Sequence, residues 1–382
     1  MTFFLSFFQS KKEHPIPAYS FWEYYIKNGI EEAGYDWIED KFIDWAEGLI
    51  YDEDSIELAN WKAIVWERAI SYIKKSRPSV FLSYLYPKQI DIQAIKEIQK
   101  LGIPCVNFFC DHVRDFKSLP KEFYVFDLNW VPEVEGLNLY KKNKLNYIHL
   151  PMPMWVDPKF RFIENTFNND VTFIGSRDIQ RTLLFNKLLN DNKNESIKIY
   201  GKGWFKNDLH VNNFPKRKNL GEKIKNQAKS LVKNGLKPYL RSLSQRNLNI
   251  LPSLEVQKNI YGTVSFEEYI KITKSSCITL GINRYPNINF PLHKPHTYSR
   301  LRDIEAPMLG ACYLTEKAED LNYFYPHNKI LVYENIDELN EKISEIRGYR
   351  NNERFNYIKN IQDISINELS IPCSIYKLKS KL

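Results

Sequence analysis

No apolar run in this 382-residue chain approaches the ~20 residues needed to cross a bilayer. Cysteine is scarce: there are five, with no CxxC pair and no histidines clustered beside them, so a zinc site is not expected. The opening MTFFLSFFQSKK is apolar first and basic second, the reverse of a secretory signal, and reads as a first strand. Reduced thiols in a cytoplasm are therefore the expectation. The chain has no internal repeat and no low-complexity tract. It also lacks a general charge excess, although the net charge is +8. Ten Lys/Arg and one acid, Glu222, lie between Lys216 and Arg246, and the remainder is close to neutral. A near-neutral protein carrying one basic segment is not patterned as a nucleic-acid binder.

What is present is aromatic and apolar bulk. With 24 Tyr, 23 Phe and 8 Trp in a hydrophobic content of 43%, the chain can fill two cores. Short β-rich runs alternate with helical patterns, the mark of an α/β protein with parallel sheets. In the first half MTFFLSFF, VFLSYLYP, IPCVNFFCD, FYVFDLNWVP and NYIHLP read as strands. SFWEYYIKNGIEEAG, SIELANWKAIVWERAISYIKKS and DIQAIKEIQKLG read as helices between them. The proline-rich LPMPMWVDPKF, Leu150 to Phe160, interrupts the alternation and marks a domain boundary. The expected division is 1–155, 156–350 and a helical tail over 351–382, with 206–260 longer than a compact domain needs and read as an insertion. Two such domains place a ligand beyond the carboxyl ends of their strands.

Three strand ends in the second half carry chemistry. In VTFIGSRDIQR, Gly175 and Ser176 sit between a strand and a helix whose amides and dipole favour an anion. Arg177 and Arg181, four apart, share a helical side and could grip a diphosphate. A plain turn with solvated arginines explains them equally. IKIYGKGWF repeats the shape, with Gly201 and Gly203 permitting close backbone approach; Trp204 stacks on a base or, more ordinarily, fills the core. ITLGINR sets Asn283 and Arg284 just beyond an apolar strand, where a turn is the alternative.

The fourth stretch, SRLRDIEAPMLGACYLTE, crowds Arg300, Arg302, Asp303 and Glu305 ahead of an apolar run. Its Glu305-Ala306 and Gly310 match the EAxxxG signature of glycosyltransferases with the GT-B fold. Taken in order, VTFIGSR, IYGKGW, LGINR and this stretch resemble the CgeB-like spore-maturation group of glycosyltransferases over most of residues 170–345. The resemblance implies two Rossmann-like domains with parallel sheets facing across a cleft, and a nucleotide-sugar donor held by the second domain. It implies that Glu305 grips the ribose hydroxyls while Arg300, with Arg302 or Arg284, offsets the diphosphate. Where many retaining members carry a second glutamate eight residues earlier, this chain has Thr297.

The acceptor, saccharide or lipid-linked, is then expected on the first domain, with a base to take its hydroxyl proton. His14 after the first strand is one candidate; Asp111 and His112 after IPCVNFFC are others. His293 and His296 flank Lys294 and Pro295 and could touch phosphate or sugar. Neither a cofactor nor a metal is expected, since arginines and helix ends can offset a leaving diphosphate. Within 216–246, Ile224, Ala228, Leu231, Val232 and Leu236 share one helical face among lysines, a pattern that suits docking on an anionic membrane surface or a packed apolar stripe. The expected setting is cytoplasmic, peripheral to the inner face of a bacterial membrane, in surface-polysaccharide or glycolipid synthesis. The rivals are a nucleotide-sugar epimerase of similar fold, which needs no acceptor, and a nucleotide-sugar-binding protein that turns nothing over.

Overall fold

The computed structural model describes residues 1–9, 18–110, 118–191, 197–205, 250–285 and 295–382. His14, Asp111, His112, His293 and the basic stretch 216–246 lie outside the described residues. The chain forms two compact units, Met1–Trp155 with Asn367–Leu382, and Val156–Ile366.

The first unit is built on six parallel strands in the order β2-β1-β3-β4-β5-β6. Their ranges are β1 Thr2–Ser6, β2 Asp36–Ile38, β3 Val80–Ser83, β4 Cys105–Phe108, β5 Leu128–Val131 and β6 Tyr147–His149. The central strands are apolar on both faces, as strands covered by helices on both sides must be, and Phe3, Phe4, Phe81, Leu82 and Val106 are wholly buried. The helices begin where the sequence supplies a cap. Ser55 accepts from the Leu58 N–H at the start of Ile56–Ser76, and Asp91 accepts from Gln93 and Ala94 at the start of Ile92–Lys100. Ala94, Ile95 and Ile98 form the buried face of the latter helix. The chain returns to this unit at its end, where helix Ile371–Lys379 lies so close to helix Ala18–Glu32 that a Cβ at Gly29 would fall 2.3 Å from Ile371.

The second unit repeats the plan in the order β12-β11-β10-β7-β8-β9, again all parallel. Here β7 is Val171–Ile174, β8 Ile197–Tyr200, β9 Ile260–Gly262, β10 Ile278–Gly281, β11 Tyr313–Glu316 and β12 Leu331–Tyr333. The strand order reverses between β7 and β10, and this switch point opens a crevice at the carboxyl ends of the two strands. The described end of the stretch read as an insertion, residues 250–260, contributes the short helix Leu254–Lys258 and the start of the edge strand β9.

One buried cation anchors the start of this unit. Lys274, only 2% exposed, donates from Nζ to the carbonyls of Phe160 at 2.8 Å and Phe162 at 2.5 Å. Burial pulls its pKa from 10.5 down to about 8. The unfolded lysine keeps its proton to about pH 10.4, while the folded one surrenders it near 8. Folding therefore carries a penalty for the charge below that window and sheds it as pH rises through the window. The unfolding free energy of wild type relative to Lys274→Met is expected to increase between about pH 7 and about pH 9.5. Denaturant titrations at the two pH values check this, and a difference that stays flat would contradict it.

Candidate functional site

The site grows from the reversal point of the second sheet. Beyond β7 and β8 the two backbones stay paired: Gly175 N–H donates to the Tyr200 carbonyl at 2.8 Å, and Arg177 N–H to that of Lys202 at 2.9 Å. Gly201 adopts φ +133, and a Cβ there would stand 2.3 Å from the Gly175 carbonyl oxygen. No side chain fits, so the loops meet as bare backbone. Trp204 takes its ordinary role: 2% exposed, it packs on Phe173 and Phe185 and donates from Nε1 to the Gly175 carbonyl at 2.8 Å.

Arg177 and Arg181 do not act as a matched pair, because each has its own partner. Arg177 donates to the Ile250 carbonyl. Arg181 donates to the Ser176 carbonyl at 2.7 Å, faces the Asp178 carboxylate and covers the ring of Phe173. The Asp178 carboxylate also accepts from the Arg181 backbone N–H in the first turn of helix Ile179–Asp191. Burial, and next the charge of Arg300, lower the Arg181 pKa to about 10; Arg302 adds to the same effect. Arg181 therefore feels the like charges of Arg300 and Arg302, and mutual repulsion of this kind favours an anion that neutralises it.

On the β10 side, Asn283 is 1% exposed. Its Nδ2 donates to Thr315 Oγ1 at 3.1 Å and to the Glu316 carbonyl at 2.7 Å, while its buried Oδ1 has no partner among the described residues. Arg284, the other arginine expected near the diphosphate, lies at the start of the loop beyond β10. Its Nε donates to the buried Glu316 carboxylate at 2.8 Å, which fixes it as the counter-charge of that acid. The Arg284 carbonyl accepts from Arg300 Nη2. The Arg300 guanidinium also lies over Tyr298, with its centre 4.9 Å from the ring centroid.

Asp303, a neighbour of these arginines in the sequence, organises the segment. It is wholly buried and accepts from the Arg300 N–H at 2.8 Å, Tyr313 Oη at 2.9 Å and Thr315 Oγ1 at 2.7 Å. Burial raises its pKa against these hydrogen bonds. The result is a helix, Arg302–Met308, pinned at its first turn with Arg302 and Glu305 on the same side. Glu305 Oε2 accepts from Tyr269 Oη at 2.6 Å, and the Arg302 guanidinium lies 4.7 Å from the centroid of that ring. Gly310 has a local explanation: at φ +79 it ends the helix, and a Cβ there would meet the Phe162 carbonyl at 2.9 Å. Gly203, at φ +80, turns the chain beyond β8.

Reading the sequence singled out Arg300, Arg302 and Glu305, which the fold places in one segment, but passed over Tyr269, Asp178 and Glu316. Each of these is an ordinary helix, strand or loop residue until its partner is known. Among the described residues no cluster of three or more His, Cys, Asp or Glu could hold a metal ion, and no helix is long and apolar enough to cross a membrane.

Residues 180–363 match a family described as glycosyl transferase-like. No curated protein matches the chain. Among solved structures, the chain is similar to sucrose-phosphate synthase from Thermosynechococcus elongatus, at 10% identity and TM-score 0.55, covering 100% of this chain and 98% of that one. It is similar to the E. coli trehalose-6-phosphate structure bound with UDP-2-fluoro glucose, at 10% identity and TM-score 0.54, covering 100% and 98%. A trehalose-6-phosphate synthase studied for glycosyl transfer with retention is also similar, at 10% identity and TM-score 0.51, covering 99% of each chain. At such identities these likenesses establish the fold, GT-B, and the family match supplies the chemistry. A glycosyl transferase-like region seated on a GT-B fold makes this chain a glycosyltransferase.

Proposed function

We propose that this chain transfers a sugar from a nucleotide-sugar donor to a saccharide or lipid-linked acceptor, with the donor held by the second unit. The observation that carries this reading is the gathering of Arg181 and Arg300 at the point where the second sheet reverses. Arg300, with Arg302 and Arg181 close by, offsets the diphosphate, whose planar acceptor geometry suits guanidinium forks. Glu305 accepts from the ribose hydroxyls, since a carboxylate can take two such donors. Gly175, Ser176 and Gly201 bring bare backbone to the phosphates, and the Asn283 Oδ1 still has an acceptor site to offer.

In the transfer itself the acceptor hydroxyl loses its proton to a base, its oxygen bonds to the anomeric carbon, and the bond from that carbon to the diphosphate oxygen breaks. The base belongs to the first unit, with His14, Asp111 and His112 the candidates. The finer likeness to the CgeB-like group, the bacterial surface-glycan setting and the docking of 216–246 on an anionic membrane at the inner face belong to the same proposal. An epimerase is less well supported, because it would form product from nucleotide sugar alone and give the basic stretch no evident task.

The test is a thermal-shift screen of UDP-, GDP-, CMP- and dTDP-sugars against wild type and Glu305→Ala. Ligand at about 100 times its dissociation constant stabilises by about 2.7 kcal/mol, which is readily seen. A shift for one nucleotide class that disappears in Glu305→Ala is the expected result. No shift for any nucleotide in either protein would end the reading.

A further inference from the structure

Tyr269 lies in helix Phe266–Ser275 and engages two site residues at once. Its hydroxyl donates to Glu305 Oε2 at 2.6 Å. Its ring face carries the Arg302 guanidinium at 4.7 Å. Arg302 and Glu305 are three apart at the start of helix Arg302–Met308, a spacing at which opposite charges normally pair with each other. Here each is held by the phenol instead, one at its hydroxyl and one at its face. A charge-assisted O–H···O⁻ bond and a cation–π contact are the two interactions a tyrosine can offer simultaneously to an acid and a base. The first of them fixes the Glu305 carboxylate in one place on the helix.

We infer that Tyr269 is a positioning residue that sets ribose recognition: by fixing the Glu305 carboxylate, it lets the carboxylate discriminate a ribonucleotide from its 2′-deoxy counterpart. The inference rests on Glu305 being the ribose grip. Phenylalanine at 269 removes the hydroxyl and keeps the ring that carries Arg302. The carboxylate then loses the donor that fixes it, and the geometry that reads the 2′-hydroxyl is lost.

The experiment is calorimetric titration with UDP, GDP and CDP and with their 2′-deoxy counterparts, on wild type, Tyr269→Phe and Glu305→Gln, with the melting temperature of each protein recorded. Wild type is expected to prefer the ribonucleotide by about ten-fold or more, the factor that a hydrogen bond to a charged group carries. Tyr269→Phe should lose most of that preference while melting with wild type and still binding the diphosphate. A purely structural tyrosine would lower the melting temperature or weaken both sugars alike, leaving their ratio unmoved. If Glu305→Gln loses the preference and Tyr269→Phe keeps it, the positioning role is wrong and the ribose grip stands. If Glu305→Gln keeps it, or wild type shows none, the ribose grip itself is wrong and the inference goes with it.

Discussion

Arg284→Ala is expected to destabilise the second unit by about 3–5 kcal/mol, the cost of stranding a buried charge. The charge is that of Glu316, at the end of β11 and 3% exposed. Its Oε1 accepts from Arg284 Nε at 2.8 Å and its Oε2 from the Asn283 N–H at 3.2 Å. Alanine at 284 leaves the second of these bonds and removes the only opposite charge paired with the acid among the described residues. The double variant Arg284→Met/Glu316→Gln removes both charges and keeps their volume, so it should recover most of the loss. Chemical denaturation of Arg284→Met, Glu316→Gln and the double variant measures this coupling directly. A single variant that melts with wild type would show that the pair contributes nothing. Because an unfolded site also fails to bind, Arg284→Ala would mimic a ligand-binding defect. Restored nucleotide binding in the double variant is what separates the two, since a true diphosphate contact would stay lost.

How far the sequence disclosed this arrangement depended on where each residue's partner lies. Strands with a wholly buried run, such as VFLS at β3 and ITLG at β10, were legible because burial on both faces demands such a run. The edge strands β2 and β9 were not. Each is three residues long and lacks a fully buried residue, so DWI and IYG carry no apolar signature. Helix Val134–Lys142 was missed as well, although Val134, Leu137 and Tyr140 follow helical spacing. In the site, Arg300, Arg302 and Glu305 stood out because their charges precede an apolar run. The role of Asp303 did not, because it depends on Tyr313 and Thr315, ten and twelve residues further on in a parallel strand. Arg284 has its partner 32 residues away, and Tyr269 lies 36 residues from Glu305. Charge and spacing locate a site; which acid answers which base is decided by strand order, and no short window of sequence contains that.

Arg300→Met should behave in the opposite way from Arg284→Ala. Among the described residues Arg300 has no carboxylate partner at its guanidinium: Nη2 donates to the Arg284 carbonyl, the plane lies over Tyr298, and the buried Nε has no hydrogen bond. Its charge is felt by Arg181, whose pKa it helps to lower to about 10. Removing one of these like charges therefore relieves repulsion in the empty site, and the methionine retains apolar contact with Tyr298. The melting temperature without ligand should match or exceed that of wild type. Nucleotide binding should suffer heavily, because a charge-assisted bond to phosphate is worth about 1.5–3 kcal/mol, or about 10- to 150-fold in affinity. The salt dependence of binding should weaken too, since one fewer cation meets the diphosphate. Titrating the preferred nucleoside diphosphate at low and high salt, alongside thermal melts, reads all three effects. If Arg300→Met melts early and binds as tightly as wild type, the arginine braces the β10 loop and the diphosphate must be met elsewhere. A site that loses affinity while gaining stability is one whose charges are held in mutual tension for an anion to resolve.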